Sequence, residues 1–247
     1  MIKKLFQKKT KLFKSADNRI KYNAETDYWK EDIERYINWF NGVLKVYYET
    51  TCPLEDQKMV AENIKDSAIL TWHKLHQQVK YLADLKIDAD EFKNKKLLDI
   101  GAGPMPSATC FEQADLYCLD PLLDEYLKAG FPIHYYGNVK FVHGYSERIP
   151  ITDHFFDAII SVNALDHVDD FEKTAVEIKR VLKEDGLVVF HLHFHPPTVT
   201  EPVELTEERV SKAFEGIKNF RKVSESNHKF GYTCAADEKY TLWSNIV

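Results

Sequence analysis

The stretch Lys96 to Pro104, KLLDIGAGP, contains the residues most suited to hold a ligand. Its apolar residues are typical of a strand buried on both faces, and this strand runs directly into Gly101 and Gly103. Two glycines at such a corner permit backbone angles closed to other residues and allow close approach of a ligand. Asp120 ends a second apolar run at the distance expected for a carboxylate that binds a ribose. These two strand ends predict a nucleoside-containing cofactor at the carboxyl edge of a parallel sheet.

The residues around the corner indicate which nucleoside is bound. A dinucleotide site would need a third glycine where this chain has Pro106, and Asp99 would repel a pyrophosphate. Asp99 instead suits a cationic or zwitterionic ligand. At this point LLDIGAGP resembles the first motif of the class I S-adenosylmethionine (SAM)-dependent methyltransferases. The chain departs from that motif at Met105, where the family commonly has another glycine.

Three later segments extend the resemblance over roughly residues 95–195, in the family's order and spacing. They are YCLDP around Asp120, GYSERIPITDHFFDAIISVNALDHV, and VLKEDGLVVF. The resemblance implies SAM as the cofactor, S-adenosylhomocysteine (SAH) as the product, and a sheet whose final strand is antiparallel.

The resemblance also implies roles for residues at the first two strand ends. Asp120 would bind the cofactor ribose, with Pro121 beside it, because two hydroxyl donors match the two oxygens of a carboxylate. Gly101 and Gly103 would pass close to the methionine moiety. Asp99 would hold the methionine ammonium. The alternative is a buried carboxylate satisfied by neighbouring amides, and we favour the ligand role because Asp99 lies beside the turn.

The next two strand ends would complete the cofactor site. Tyr145 stands where the family has an acidic residue near the adenine, so Ser146 and Glu147 are the expected adenine neighbours. Tyr145 could instead stack against the ring. Asn163, at the end of the fourth strand, should face the sulfonium end of the cofactor.

Methyl transfer to a hydroxyl requires a base, whereas an amine needs only to lose its proton. His167 follows the fourth strand at the predicted pocket mouth, and its unperturbed pKa suits proton removal near neutrality. Alternatively, it is a helix-start histidine bonded to the backbone. Asp166 could orient this imidazole or merely cap the following helix.

Three histidines, His191, His193 and His195, alternate along the predicted fifth strand and share one face. A His-x-His pair can offer two ligands to one metal, but the sequence suggests no carboxylate as a third. We therefore expect these histidines to line the pocket, with His193 near the substrate and His195 as a second candidate base. No metal is expected.

Residues 1–93 differ in pattern from the rest of the chain. Helical spacing of aromatic residues predicts a cap, in which Tyr22 and Tyr28 are candidate lid residues. Residues 1–21 carry eight Lys or Arg against Asp17 alone. This basic arm could touch a membrane surface or a partner, but we favour a mobile arm or a lid on its own domain.

From residue 94 to residue 247, strand and helix patterns alternate. This alternation predicts a Rossmann-like α/β fold: a doubly wound, mostly parallel seven-stranded sheet that carries the N-terminal helical cap. Predicted strands cover 96–100, 115–119, 139–143, 155–161 and 187–192, followed by a C-terminal hairpin. Predicted helices cover 60–82, 122–129, 171–182 and 206–217.

Composition restricts the class of protein. The net charge of -6 argues against a nucleic-acid partner, and 44% hydrophobic residues can build a large core. The four cysteines have no CxxC spacing and indicate reduced thiols in a cytoplasmic protein. No apolar run approaches the roughly 20 residues of a transmembrane helix.

These observations together predict a SAM-dependent methyltransferase. The expected acceptor is a hydroxyl or amine of a small polar metabolite, with a sugar or sugar nucleotide as one option. The alternatives are an NAD-dependent oxidoreductase on a similar sheet and a non-catalytic SAM-binding scaffold.

Overall fold

The structure is a computed structural model that describes residues 2–229, 232–233, 235–236 and 238–246. For residues 2–18, 229, 232 and 233 it describes the backbone alone. The side chains of most of the basic arm, and Cys234, therefore lie outside the described residues. Within these ranges, no helix is both long and apolar enough to cross a bilayer.

The described residues contain a seven-stranded sheet with strand order β3-β2-β1-β4-β5-β7-β6. Strand β7 is antiparallel to both of its neighbours, and the other pairs are parallel. The fold class predicted from the sequence is confirmed. The strands are β1 (Lys96–Ile100), β2 (Asp115–Asp120), β3 (Lys140–His143), β4 (Phe156–Val162), β5 (Leu182–Phe194), β6 (Arg221–Ser226) and β7 (Lys239–Ser244).

The central strands are buried on both faces because helices cover both sides of the sheet. Alternate residues of β1 point to opposite faces. Leu98 packs in one apolar cluster with Phe171 and Ile178. Leu97 packs in a second cluster with Tyr81. This arrangement explains why the strands are nearly continuous apolar runs.

The α-helices are α1 (Ile2–Phe40), α2 (Ile64–Trp72), α3 (Gln78–Leu85), α4 (Leu123–Ala129), α5 (Phe171–Val181) and α6 (Glu207–Ala213). The predicted helix over 60–82 begins late, at Ile64. Asn63 caps it, since its side-chain oxygen accepts a hydrogen bond of 2.9 Å from the Asp66 N–H. Val60 is exposed in the preceding loop.

A π-helical turn, His73–Gln77, separates α2 from α3. Such a turn holds extra backbone and changes the direction in which the following side chains point. Trp72, before the turn, packs in the aromatic cluster of the cap. Tyr81 and Leu85, after it, pack with the sheet. The same helical segment thus joins the cap to the sheet.

The cap packs on the glycine corner through one aromatic cluster. Tyr36 stacks on Trp72 with a centroid distance of 4.0 Å. Met105 and Leu122, from the loops after β1 and β2, are buried in the same cluster. Met105 therefore replaces the family's glycine with an apolar anchor for the cap. The domain boundary at residue 93 remains a prediction.

Two further element ends lie several residues away from the sequence prediction. Strand β5 begins at Leu182 rather than at residue 187, so residues 183–186 belong to the strand. They form an irregularity, because Phe156 pairs with Leu182 whereas Ala158 pairs with Leu187. Helix α6 ends at Ala213 rather than at residue 217.

We expect Met105→Ala to lower the free energy of unfolding by about 2–5 kcal/mol, because it leaves a cavity between cap and sheet. Chemical denaturation measures this change. Val60→Ala is the matched control, since Val60 is 93% exposed; its effect should stay within about 0.5 kcal/mol. Equal effects of the two substitutions would contradict the role of Met105 as an anchor.

Candidate active site

A cavity of about 580 Å³ lies at the carboxyl edge of the sheet, beneath the cap. This volume falls within the range of small-molecule sites. Gly101, Gly103 and Asp120 belong to its sheet side, and Tyr22 and Tyr28 belong to its cap side. The structure thus brings the predicted cofactor residues and the predicted lid residues to one cavity.

The glycine corner after β1 requires its glycines for two separate reasons. Gly101 and Gly103 both have a φ of +70°, which L side chains rarely adopt. A Cβ on Gly101 would also lie 2.3 Å from the Cβ of Ala164, in the loop after β4. The close contact with Ala164 holds the ends of two adjacent strands together.

Asp120 ties the end of β2 to this corner. One carboxylate oxygen accepts a hydrogen bond of 2.9 Å from the Gly103 N–H, and the other accepts one of 2.8 Å from the Leu122 N–H. Burial raises the pKa of Asp120 to about 6, although these two bonds oppose the rise. Each oxygen retains a lone pair, so the carboxylate can still accept from two ribose hydroxyls.

Asp99 does not belong to the described lining of the cavity. It lies one residue inside β1 and faces Tyr81 of α3. Burial raises the pKa of Asp99 well above its usual value, the Tyr81 hydroxyl opposes this, and the Asp120 charge adds to it. Both oxygens of the Asp99 carboxylate are buried without a hydrogen bond to the described residues, and the role of Asp99 at the methionine ammonium stays a prediction.

The remaining predicted cofactor residues line the cavity: Pro121, Ser146, Glu147 and Asn163, together with Tyr145. The Glu147 carboxylate accepts hydrogen bonds of 2.6 and 3.1 Å from the N–H groups of Asp169 and Asp170. It thereby fixes the loop before α5. The Asn163 side-chain oxygen is buried and has no hydrogen-bond partner among the described residues, so it can accept from a ligand.

Helix α1 covers the cavity and is tied to the sheet domain by charge. The Lys21 ammonium lies 2.9 Å from the Asp169 carboxylate. The ring centroid of Tyr22, on α1, lies 6.2 Å from that of Tyr145, in the loop after β3. These contacts place a lid of α1 residues over the predicted adenosine end.

His167 lines the cavity between two carboxylates. Its Nδ1 lies 3.6 Å from Glu25 of α1, and its Nε2 lies 3.4 Å from Glu201 in the loop after β5. Burial lowers the pKa of His167, but Glu201, Asp166 and Glu25 together raise it to about 9. The imidazole therefore differs from the unperturbed histidine assumed in the sequence analysis and holds a proton at neutral pH.

His193 and His195 do not belong to the described lining of the cavity. Both are buried beyond Glu201, which has one carboxylate oxygen 3.4 Å from His167 and the other 3.8 Å from His195. His195 Nε2 also lies 3.2 Å from Asp166, which raises the pKa of His195 to about 9. Asp166 is likewise outside the cavity lining, and its partner is His195 rather than His167.

Sequence reasoning missed Glu25 and Glu201. Glu25 comes from a helix with no motif, and Glu201 comes from an irregular loop, so neither spacing nor resemblance indicates them. Their position follows from the tertiary contacts that bring α1 and the loop after β5 to the carboxyl edge of the sheet.

Comparisons with known proteins indicate a methyltransferase domain. Residues 98–190 match a family model described as a methyltransferase domain. The chain is 33% identical over 105 residues to the uncharacterized methyltransferase YcgJ of Bacillus subtilis, covering 41% of this chain and 42% of YcgJ. The match thus spans less than half of that relative.

Solved structures share the fold. YcgJ from Bacillus subtilis superposes with a TM-score of 0.50 and 22% identity, over 61% of this chain and 71% of that one. The [4+2]-cyclase SpnF superposes with a TM-score of 0.54 and 15% identity, over 70% of this chain and 81% of that one. PH0226 from Pyrococcus horikoshii superposes with a TM-score of 0.50 and 17% identity, over 69% of this chain and 92% of that one. Residues 98–190 are thus similar to methyltransferase domains, and the described sheet has the fold of these solved structures.

We expect Gly101→Ala to destabilise the protein and to weaken SAH binding at least about tenfold, since the new methyl group meets Ala164. Thermal unfolding and calorimetric titration with SAH measure the two effects. Gly137→Ala is the matched control, because a Cβ there would meet no described atom within 4 Å. Unchanged stability and SAH affinity in Gly101→Ala would contradict the described corner.

Proposed function

We propose that this chain transfers the methyl group of SAM to a hydroxyl or amine of a small polar molecule. The observation that carries the proposal is a single cavity, with the glycine corner and Asp120 on its sheet side and α1 on its cap side. Methyl transfer is an in-line displacement at an already activated carbon, so the protein mainly positions two reactants and excludes water.

The sheet side supports a nucleoside cofactor. Asp120 is bonded to the backbone at both oxygens and retains acceptor capacity for the ribose. Asn163 offers a buried, unpartnered amide oxygen among the described residues for a donor at the methionine end. Ser146 and Tyr145 line the part of the cavity that we assign to the adenine.

The cap side favours a small acceptor over a macromolecule. Trp29, Tyr47, Tyr48 and Trp72 line the cavity from the cap, together with charged groups such as Asp32 and Lys80. Aromatic walls with a few polar groups are typical of small-molecule sites.

A nucleic-acid partner is disfavoured by the net charge of -6. We assign the protein to the cytoplasm on its cysteine usage.

The acceptor proton requires a destination, and we assign it to the group formed by Glu25, His167 and Glu201. Because His167 already holds a proton at neutral pH, a carboxylate oxygen of Glu25 or Glu201 takes the acceptor proton, and the imidazolium between them stabilises both carboxylates. We no longer favour His195 as a base, because Glu201 and Asp166 lie beside it and it does not belong to the described cavity lining.

The NAD-dependent oxidoreductase is less well supported. Pro106 and the buried Met105 occupy the positions where a dinucleotide site needs close backbone packing. A non-catalytic SAM-binding scaffold would use the same cofactor half of the site as the proposed methyltransferase. It would differ from the enzyme only in having no turnover. The basic arm as a contact for a membrane or partner remains a separate proposal.

We expect SAH affinity to fall as the pH falls through 6, because Asp120 accepts ribose hydrogen bonds as a carboxylate. The pKa of about 6 is raised above the usual value, so protonation begins near neutrality. At pH 5 the dissociation constant should be about tenfold higher than at pH 7. Calorimetric titration at both pH values measures it.

Asp120→Asn should remove this pH dependence and weaken SAH binding at pH 7 by about tenfold or more. Asp124→Asn is the matched control, since Asp124 lies in the first turn of α4, outside the described cavity lining. A wild-type affinity that is equal at pH 5 and pH 7 would contradict the assignment of Asp120 to the ribose.

We expect His167→Ala and Glu25→Gln each to lower kcat by about 10²–10⁴ while leaving SAH affinity unchanged, since they act on the acceptor proton. The assay measures SAH release with a panel of small hydroxyl and amine compounds. His134→Gln, at an exposed histidine, should retain full turnover. SAH binding without turnover on any acceptor would favour the scaffold.

A further inference from the structure

A cluster of two imidazoles and two carboxylates lies beside the proposed acceptor end of the cavity. The ligand atoms of Asp166, His193, His195 and Glu201 all lie within 4.8 Å of one another. His193 and His195 come from the end of β5, Asp166 from the loop after β4, and Glu201 from the loop after β5. Adjacent ends of neighbouring parallel strands thus converge on one point.

The hydrogen bonding of His195 leaves its inner nitrogen facing two anions. Nδ1 lies 2.6 Å from the Pro196 carbonyl oxygen, which can only accept, so Nδ1 carries the donated proton. Nε2 then lies 3.2 Å from an Asp166 oxygen and 3.8 Å from a Glu201 oxygen. A protonated Nε2 donates to Asp166, and a divalent cation bound at this point would take the place of that proton.

The Nδ1 bond is also the outer-shell arrangement typical of metal-bound histidine. A metal-ligating imidazole almost always donates its other N–H to a carbonyl or carboxylate, and this bond fixes the tautomer. His195 has that arrangement, with Pro196 as the acceptor. Its Nε2 is therefore the nitrogen presented to the cluster.

Asp166 supplies an independent observation. It is fully buried, and its Oδ1 has no hydrogen-bond partner among the described residues. A buried carboxylate oxygen without a partner loses its hydration without compensation. A cation in the cluster would remove this cost.

We propose that Asp166, His193, His195 and Glu201 form a binding site for a divalent transition-metal ion, with zinc as the best match. Two imidazoles and two carboxylates supply the nitrogen and oxygen ligands that zinc accepts, and four ligands complete its tetrahedron. Two carboxylate charges balance a divalent ion, which permits burial of the whole site.

The distances require only small movements of side chains. Zinc bonds of about 2.0–2.1 Å place tetrahedral ligand atoms roughly 3.3 Å apart. The spacing of 3.2 Å between His195 and Asp166 already meets this value. All the ligand atoms lie within 4.8 Å of one another, so no pair has to close by more than about 1.5 Å.

The ion would connect the loop after β5 to the cavity wall. One oxygen of Glu201 faces the metal cluster, while the other faces His167 in the cavity. Metal binding would therefore fix the Glu201 carboxylate against His167. This inference rests on the cluster geometry and holds whether or not the chain is a methyltransferase.

The test measures metal binding directly on untagged full-length protein that has been treated with a chelator and dialysed. Zn²⁺ is titrated calorimetrically and the bound metal is counted by mass spectrometry. Co²⁺ is titrated in parallel, because its visible absorption separates a four-coordinate nitrogen and oxygen site from cysteine binding. We expect one ion per chain, without a thiolate-to-cobalt band.

Variants locate the ion. His195→Ala and His193→Ala should each weaken Zn²⁺ binding at least about tenfold. His191→Ala is the matched control: it is also buried on β5, two residues before His193, but lies outside the cluster. It should bind zinc as the wild type does. Circular dichroism checks the folding of each variant.

Glu201→Gln provides a variant that does not depend on the buried core, since Glu201 lies on a partly exposed loop. It should also weaken Zn²⁺ binding at least about tenfold while the fold is retained. Less than one ion per chain, a thiolate band, or equal binding by Glu201→Gln and wild type would each overturn the proposal.

Discussion

The site depends on the hydrogen bonds that join the Asp120 carboxylate to the glycine corner. Asp120 ends β2, Gly103 follows β1, and the bond of 2.9 Å between them connects the tips of two adjacent strands. The second oxygen bonds the Leu122 N–H at 2.8 Å and sets the entry to α4. Burial removes water from the Asp120 carboxylate, which costs free energy, and these two hydrogen bonds offset part of that cost.

The cap is held over the sheet because apolar residues that follow β1 and β2 pack against it. Met105 and Leu122 are buried with Tyr36 and Trp72 in one cluster. The π-helical turn then redirects α3 onto the sheet. The loops that shape the cofactor end therefore also anchor the helices over the acceptor end, so the two halves of the cavity are positioned by the same contacts.

Most of the sheet could be predicted from the sequence because its strands are buried on both faces and end in recognisable turns. The glycine corner and Asp120 were also predictable, because each is recognised from residues that are adjacent in the sequence. Asp99 was less predictable, because whether it faces the cavity or Tyr81 depends on the packing of α3 rather than on the motif.

The acceptor side could not be predicted because its residues come from segments far apart in the chain. Glu25, His167 and Glu201 belong to α1, the loop after β4 and the loop after β5. The altered pKa of His167 follows from their convergence, which no spacing rule records. Glu201 was missed for the same reason, and Asp166 was expected beside His167 rather than beside His195, so the sequence suggested no carboxylate ligand for the histidine pair.

The central claim is that Asp120 and the glycine corner hold the nucleoside of SAM. A crystal structure of the protein with SAH tests this claim most directly. The account predicts both ribose hydroxyls within hydrogen-bond distance of the Asp120 carboxylate, with the homocysteine moiety alongside Gly101 and Gly103. A nucleoside bound elsewhere, or a ribose whose hydroxyls face away from Asp120, would contradict it.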